Sequence, residues 1–567
     1  MDNSGIIHAL IEIADGLEFL DDNPFKIRAY RKAAQSIASL DVPVSELIDN
    51  GEISRIEGVG KAIAAKIEAW VKLGDFLALE KIRSQVPSGL EELVKVPGLG
   101  IKRLRLLRDQ LGIDTLDDLL DACRQGRLSG IKGFPEKNIS RLAGSIEQVI
   151  GYRGKYLINV SLDHAKEIQG RLKGAGLNAE ITGECRRTME VITAIEVLVE
   201  KTGQTHEMIR KCLGDKASDI GNHTVMVPSL EKKPPVFCRI VDKEDFPLAL
   251  FLSTGSKGHI DRMKGIARQK GMLLEETVIS SENGPVAIRD EKDIYEVLGL
   301  PHIPPEIREE SAEVFYSRDY VIPTLIVNDD INGTLHNHTM YSDGKAPLSE
   351  LVKRARDMGY AWIGISDHSQ SAYYAGGMGI DDVKKQFNEI DDLGRSIEGI
   401  TIFKGIESDI LKDGSLDYPD EVLARFDFVI ASIHSYMDMG MAEMTQRIIR
   451  ALKNPFTTIF AHPSGRLLLS REPYEADMNL ILNEALHNRV IIELNANPMR
   501  LDIDWRYIPG FVQGGGMISI GPDAHSLNGL YDMNYGVMMA RKGLVSADSC
   551  LNTYDVERVR GVFSRKW

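Results

Sequence analysis

Trp362-Ile363-Gly364-Ile365-Ser366-Asp367-His368 is a short apolar run that stops at a polar cluster, and the arrangement recurs throughout the C-terminal part of the chain. Similar runs lead to His336-Asn337-His338, to Glu407 after Ile402-Phe403-Lys404-Gly405-Ile406, and to His434 after Phe428-Val429-Ile430-Ala431. Others end at His462 after Ile459-Phe460-Ala461 and at Asp523-Ala524-His525 after Met517-Ile518-Ser519-Ile520, while Val490-Ile491-Ile492-Glu493-Leu494 opens into Asn495-Ala496-Asn497. Brief apolar runs of this kind suit buried parallel strands. In a βα barrel, functional residues sit at the C-terminal strand ends, so ligands remote in sequence would converge on one rim. His336, His338, His368, His434, His462 and His525, from 13 histidines in the chain, fall on these ends. The expectation is a multinuclear metal site.

At 567 residues, the length prior suggests roughly four domains. Hydrophobic content of 43% and charged content of 27% are ordinary for a globular chain. No apolar stretch reaches the ~18 residues that read as a membrane span, and Met1-Asp2-Asn3-Ser4 lacks a basic leader followed by an apolar core. Five scattered cysteines (Cys123, Cys185, Cys212, Cys238, Cys550) form no CxxC pair, which suits reduced thiols in the cytoplasm. No membrane partner is expected. A net charge of −15 does not itself suggest nucleic acid, so such binding requires a local patch.

Residues 1–150 read as nearly all helix. Within them, Ile56-Glu57-Gly58-Val59-Gly60-Lys61 and Val96-Pro97-Gly98-Leu99-Gly100-Ile101-Lys102 each open a helical pattern, and Ile131-Lys132-Gly133-Phe134-Pro135-Glu136-Lys137 is a weaker third copy. Two glycines around one apolar residue make a tight turn, and the helix N-terminus behind it suits a phosphate oxygen. G-x-G turns also occur simply as connections. Residues 81–110 add a local excess of basic charge, including Lys102 and Arg103. The pattern resembles helix-hairpin-helix motifs, which hold the DNA backbone without reading bases. The expected DNA contacts are Gly58, Gly60, Lys61, Gly98, Gly100, Lys102 and Arg103.

Further residues narrow the resemblance. Phe25-Lys26-Ile27-Arg28-Ala29-Tyr30-Arg31-Lys32-Ala33 with the paired turns resembles the N-terminal DNA-binding module of family X DNA polymerases. Gly183-Glu184-Cys185-Arg186-Arg187 stands where that family has a triphosphate turn, and Phe251-Leu252-Ser253-Thr254-Gly255-Ser256-Lys257 resembles its Thr-Gly-Ser turn. Leu298-Gly299-Leu300-Pro301-His302-Ile303-Pro304-Pro305 resembles the end of its thumb. The resemblance places the three catalytic carboxylates at Ala194, Glu196 and Phe237, where only Glu196 is acidic. Two-metal nucleotidyl transfer needs several carboxylates, and Glu184 adds negative charge where the family has a hydroxyl. Arg186 and Arg187 remain as triphosphate or ordinary ion-pair residues. The resemblance therefore implies a degenerate polymerase centre. It also aligns Lys66 with the family's Schiff-base lysine for 5′-deoxyribose phosphate removal, where a cationic neighbourhood would lower its pKa; the plain alternative is a phosphate-contacting or solvated helix lysine.

Leu335-His336-Asn337-His338-Thr339, Tyr341-Ser342-Asp343-Gly344, Ser366-Asp367-His368-Ser369, Gly405-Ile406-Glu407, Ser432-Ile433-His434-Ser435, Ala461-His462-Pro463-Ser464-Gly465-Arg466 and Pro522-Asp523-Ala524-His525-Ser526 resemble the PHP phosphoesterase domain that bacterial and archaeal family X polymerases carry at the C-terminus. The resemblance implies a distorted (β/α)7 barrel and nine metal ligands: His336, His338, Asp343, His368, Glu407, His434, His462, Asp523 and His525. Imidazole and carboxylate ligands without thiolate suit two or three catalytic Mn, Zn or Fe ions, with Mg a further candidate. Asp367 is expected to orient His368 or a neighbouring ligand. Arg466 and Lys345 are expected phosphate partners or satisfied rim charges, and Asn495-Ala496-Asn497 shapes the rim or meets substrate.

The implied architecture is multidomain α and α/β. It comprises a helical DNA-binding module over 1–84, a fingers-like helix-hairpin-helix region over 85–150 and a degenerate palm over 151–245. A thumb over 246–318, a linker over 319–330 and a PHP barrel over 331–567 complete it. The expected function is 3′–5′ exonuclease action on gapped or single-stranded DNA in repair. The alternatives are a phosphatase of the histidinol phosphatase kind and a non-enzymatic DNA-end scaffold.

Overall fold

A computed structural model describes residues 3–38, 40, 42–74, 77–221, 223–229, 233–309 and 322–564. The end of the expected thumb, 310–318, and the first part of the expected linker, 319–321, lie outside the described residues. The chain divides into two compact units, residues 1–154 and 155–567.

The first unit is helical and carries two apolar cores. Ile6, Leu10, Ile13 and Leu17 recur at helical spacing along Asn3–Phe19 and pack with Tyr30, Ile37, Ile67 and Trp70. Gly16 permits a close approach to Ile82, because a Cβ there would lie 2.2 Å from its methyl. Leu90, Leu104, Leu107, Leu119, Ile146 and Val149 form the second core. The three expected turns share one geometry. Gly58, Gly98 and Gly133 take φ of +79°, +76° and +96°, where a side chain would be strained. Val59, Leu99 and Phe134 close the turns through N–H bonds to Ile56, Val96 and Ile131. Helices Lys61–Leu73, Ile101–Leu111 and Glu136–Gly151 follow. Pro135 therefore serves the third turn as well as glycine serves the others, because its φ of −64°, within proline's fixed range, combines with ψ of 140° in the extended conformation that suits the position before a helix.

The second unit contains a five-stranded sheet in the order Ala179–Thr182, Ile195–Glu200, Val236–Val241, Thr224–Val227, Ser218–Asp219. Helices Phe246–Thr254, Lys257–Gln269 and Glu291–Val297 and a three-stranded sheet follow. Here the fully buried Arg308 pairs with Glu291 and lies over the rings of Phe251 and Tyr295.

Seven parallel strands make the barrel in chain order: Gly333–Thr334, Trp362–Ile365, Thr401–Asp409, Phe428–Ser432, Ile459–Phe460, Ile491–Asn495 and Ile518–Gly521. His338 N–H to the Ala524 carbonyl (2.9 Å) and Ala524 N–H to the His336 carbonyl (3.3 Å) join first strand to last. Side-chain alternation divides each strand between two cores. Ile363, Ile365, Val429, Ala431, Ile492 and Leu494 belong to the large outer core, whereas Trp362, Phe403, Phe428, Ile430, Ile459 and Ile491 form a separate inner one. Gly364 and Gly405 make room for the Phe428 ring, which a Cβ at Gly405 would meet at 2.1 Å. The inner parity continues through Glu407, Asp409, His434 and Glu493, so the polar layer is the upper storey of the barrel interior.

Candidate metal centre

Glu407 is the hub. Its carboxylate lies 2.8 Å from His368 Nδ1, 3.0 Å from His462 Nε2, 3.4 Å from His434 Nε2, 3.5 Å from His336 Nε2 and 3.6 Å from His338 Nε2. Asp523 lies 3.3 Å from His338 and 3.6 Å from His336, and Asp343 lies 3.2 Å from His525 and 3.6 Å from His368. Ligand atoms fall within 4.8 Å of one another in four overlapping sets: His338, Asp343, His368 and His525; His336, His338 and Glu407; His336, His462 and Asp523; and His368, Glu407 and His434. All nine residues singled out as ligands are thus brought together.

The residues fit cations. His336 Nε2, both ring nitrogens of His338, His368 Nδ1 and Glu407 Oε2 are buried without a hydrogen-bond partner among the described residues. Leaving such a group unsatisfied costs about 1–3 kcal/mol, and a shared ion would satisfy several at once. Burial alone would push the Glu407 carboxyl up, but the imidazoles of His368, His434 and His336 reverse this and hold it well below its ordinary range. Burial, followed by His525 and His368, lowers His338 to about 3, so its ring is neutral and able to ligate.

An outer layer orients these ligands. Glu493 lies 2.5 Å from His336 Nδ1 and accepts the His462 N–H at 2.8 Å; Asp409 lies 2.5 Å from His434 Nδ1. Asn495, expected at the rim or against substrate, donates to Asp523 (3.1 Å) and Glu493 (3.2 Å). Arg500 approaches Asp523 at 3.4 Å. The sequence reading missed Glu493, Asp409 and Arg500. An acid inside the apolar run Ile491–Leu494, sharing the inward parity of Ile491, was the available signal for Glu493.

Known proteins show the same order of parts. The helix-hairpin-helix domain family matches residues 1–76, the SAM-like helix-hairpin-helix tandem 90–145, the DNA polymerase beta thumb 249–309 and the PHP domain 334–497. A Bacillus subtilis protein named DNA polymerase/3′-5′ exonuclease PolX is 34% identical over 573 residues, covering 100% of both chains. This chain belongs to the family X DNA polymerases that carry a C-terminal PHP domain. The PHP region alone also resembles proteins named probable phosphatase. One from Caldicellulosiruptor saccharolyticus is 33% identical over 28% of this chain and 64% of its own, and one from Thermoanaerobacter sp. strain X514 is 27% identical over 41% and 94%.

The family X triphosphate turn is tied into the protein. Arg186 donates to Glu291 (2.9 Å) and Thr254 Oγ1 (2.6 Å). Arg187 donates to Glu309 (2.9 Å) and the Thr254 carbonyl (2.7 Å). Lys542, buried on barrel helix Met533–Lys542, reaches the same Glu309 at 2.8 Å and the Arg187 carbonyl at 3.0 Å. These partly buried ion pairs join the segment after the first strand of the five-stranded sheet to the thumb and the barrel. Glu196 and Phe237 are direct neighbours on paired strands, two residues beyond Ala194. Glu184 accepts both the Thr193 N–H (2.6 Å) and hydroxyl (2.8 Å). Desolvation and then the Glu184 charge push the Glu196 carboxyl upward. Among the described residues, every grouping of three or more His/Cys/Asp/Glu close enough to share an ion lies in the barrel.

Three expected site residues have other partners. Arg466 donates to Asp504 (2.8 Å) and to the carbonyls of Arg500 and Leu501, so it braces the 500–504 loop and is not disposed as a phosphate partner. Asp367 accepts from Thr339 N–H (2.8 Å) and hydroxyl (2.7 Å), Ser342 and Gln386; it fixes the loop between His338 and Asp343, so of the two expected roles its contacts fit the orienting of neighbouring ligands. Lys66 sits 5.7 Å from the Tyr30 ring centre and 3.4 Å from the Ala62 carbonyl. Lys345 is exposed, and its backbone N–H donates to the His525 carbonyl.

At the N-terminal turns, a Cβ at Gly60, Gly98 or Gly100 would meet open space, whereas one at Gly58 would meet Lys32. Lys61 and Lys102 are exposed beside the turns. Other basic residues are internally paired: Arg83 with Glu12, Arg105 with Asp21 and Arg108 with Asp114. Arg103 binds the Gly98 carbonyl (2.9 Å) and lies over Phe134, so it braces two successive turns.

Proposed function

We propose that this chain is a metal-dependent phosphodiesterase that trims DNA 3′ ends during repair, while its polymerase centre is inactive. The convergence of five imidazoles on Glu407 carries the reading. His336, His338, Asp343, His368, Glu407, His434, His462, Asp523 and His525 would hold two or three divalent ions, with Mn, Zn or Fe best matched to the donors and Mg a further candidate. When bound, such ions lower the pKa of water and offset phosphate charge. Glu493 and Asp409 hold the ligand rings in one orientation, and Arg500 offers positive charge at the rim. The helix-hairpin-helix turns bring backbone affinity through Gly58, Gly60, Lys61, Gly98, Gly100 and Lys102, with Arg103 as support.

The domain parsing set out above and a cytoplasmic setting belong to this reading. No helix among the described residues is long and apolar enough to cross a membrane. Inactivity of the polymerase centre is supported by its single carboxylate and by the ion pairs that occupy Arg186 and Arg187.

The test uses a 5′-labelled single strand and a gapped duplex with Mn²⁺. The expected result is stepwise loss of 3′ nucleotides, abolished by chelator and by His336→Ala. The likeness to probable phosphatases supports a second reading as a small-molecule phosphatase; hydrolysis of histidinol phosphate with no action on DNA would favour it. DNA binding without turnover of either substrate would leave a scaffold.

A further inference from the structure

Tyr374 leaves 70% of its surface exposed although its ring centre is only 6.2 Å from the rings of both His368 and His434. Its neighbour Tyr373 is 88% exposed. Their loop is firmly anchored. Ser371 donates its N–H to Asp417 (2.7 Å) and its hydroxyl to Asp409 (2.9 Å), and Gln370 donates to the Asp417 carbonyl (3.0 Å). Asp409 is the carboxylate that orients His434, so one side chain fixes both a ligand and the loop presenting Tyr374. Across the same rim, Tyr436 follows His434 by two residues and is 54% exposed. It holds φ of +53°, an unfavourable region for a bulky residue, with the Lys412 ammonium 5.5 Å from its ring.

Exposed aromatic rings on a fixed frame beside a polar site mark a binding surface. The cations Lys412 and Arg500 and continuity with the phosphate-handling ligands select an anionic polymer bearing flat apolar groups. Rings offered this way accept nucleobases of any sequence by stacking. We propose that Tyr374, assisted by Tyr373 and Tyr436, forms a stacking ledge for unpaired nucleobases at a DNA 3′ end, so that single-stranded or frayed ends are the preferred substrate. This rests on the phosphodiesterase reading above. A base on this ledge must leave its complementary partner, so a blunt duplex end is disfavoured.

The test compares a labelled single strand of natural nucleotides with the same strand ending in stable abasic residues, using the full chain and Mn²⁺. One stacked base is worth about a 5- to 150-fold preference in kcat/KM. The unmodified protein should prefer the natural end within that range, chiefly through KM. Tyr374→Ala should bring the ratio toward one, Tyr436→Ala should lower it, and Tyr374→Phe should retain it. A ratio near one in the unmodified protein, an equal loss on both strands in Tyr374→Ala, or a Tyr374→Phe variant behaving like the alanine variant overturns the ledge. Failure of the unmodified protein to cleave either strand overturns the phosphodiesterase reading itself, and the ledge with it.

Discussion

Replacing Glu493 by glutamine removes one negative charge from beneath the metal ligands while keeping the shape and an acceptor for the His462 N–H. The affected contact is the 2.5 Å interaction with His336 Nδ1, with both side chains 1% exposed. A hydrogen bond involving a charged group contributes about 1.5–3 kcal/mol, equivalent to roughly 12- to 160-fold in an equilibrium constant. This overlaps the 10- to 100-fold loss of metal affinity typical when a partner of a ligating histidine is removed. Glu493→Gln should therefore weaken Mn²⁺ binding by about 10- to 100-fold. Metal content measured after dialysis against graded free Mn²⁺ gives the affinity, and 3′-nucleotide release follows the same titration. Activity should return as Mn²⁺ rises, with secondary structure unchanged by circular dichroism. An affinity within twofold of the unmodified protein, or lost activity that saturating Mn²⁺ fails to restore, would refute the orienting role of Glu493.

Chelation should lower the thermal midpoint, because ions held at 100 times their dissociation constant contribute about 2.7 kcal/mol; a midpoint unaffected by chelator would count against occupancy. Gly405→Ala should destabilise the second unit by about 1–3 kcal/mol, since its Cβ would meet the Phe428 ring at 2.1 Å; the denaturant midpoint checks this. Lys102→Glu should weaken DNA binding irrespective of sequence and reduce the salt slope by about 0.9 per lost phosphate contact, as read by fluorescence anisotropy across salt concentrations. Template-dependent primer extension with Mg²⁺ or Mn²⁺ should stay at background, and robust incorporation would overturn the inactive-polymerase reading.

Eight of the nine ligands were legible because they close short apolar runs, and a parallel barrel carries all such ends to one rim; Asp343, in the loop after His338, came only from the PHP resemblance. The three hairpin turns were legible because a left-handed backbone position favours glycine. The choice between phosphate partner and satisfied charge at Arg466 was not legible, because its carboxylate partner, Asp504, and its two carbonyl partners come from another loop. Which ligand Asp367 serves was not legible, because its partners sit before it on the 339–342 loop and after it at Gln386. Arg186 and Arg187 pair with Glu291 and Glu309, 105 and 122 residues away, which local spacing does not reveal.

Sequence by itself determined the alternation of apolar runs and polar stops and the glycine turns, since these depend on residue type and local backbone preference. Tertiary structure alone decided that Glu407 is the hub, that Glu493 and Asp409 stand behind the ligand rings, and that Arg186 and Arg187 are held by Glu291 and Glu309 of the thumb, with Lys542 of the barrel on the same Glu309. Those outcomes depend on which residues barrel closure and domain packing bring within a few ångströms, and hydrogen bonds and ion pairs are governed by that distance.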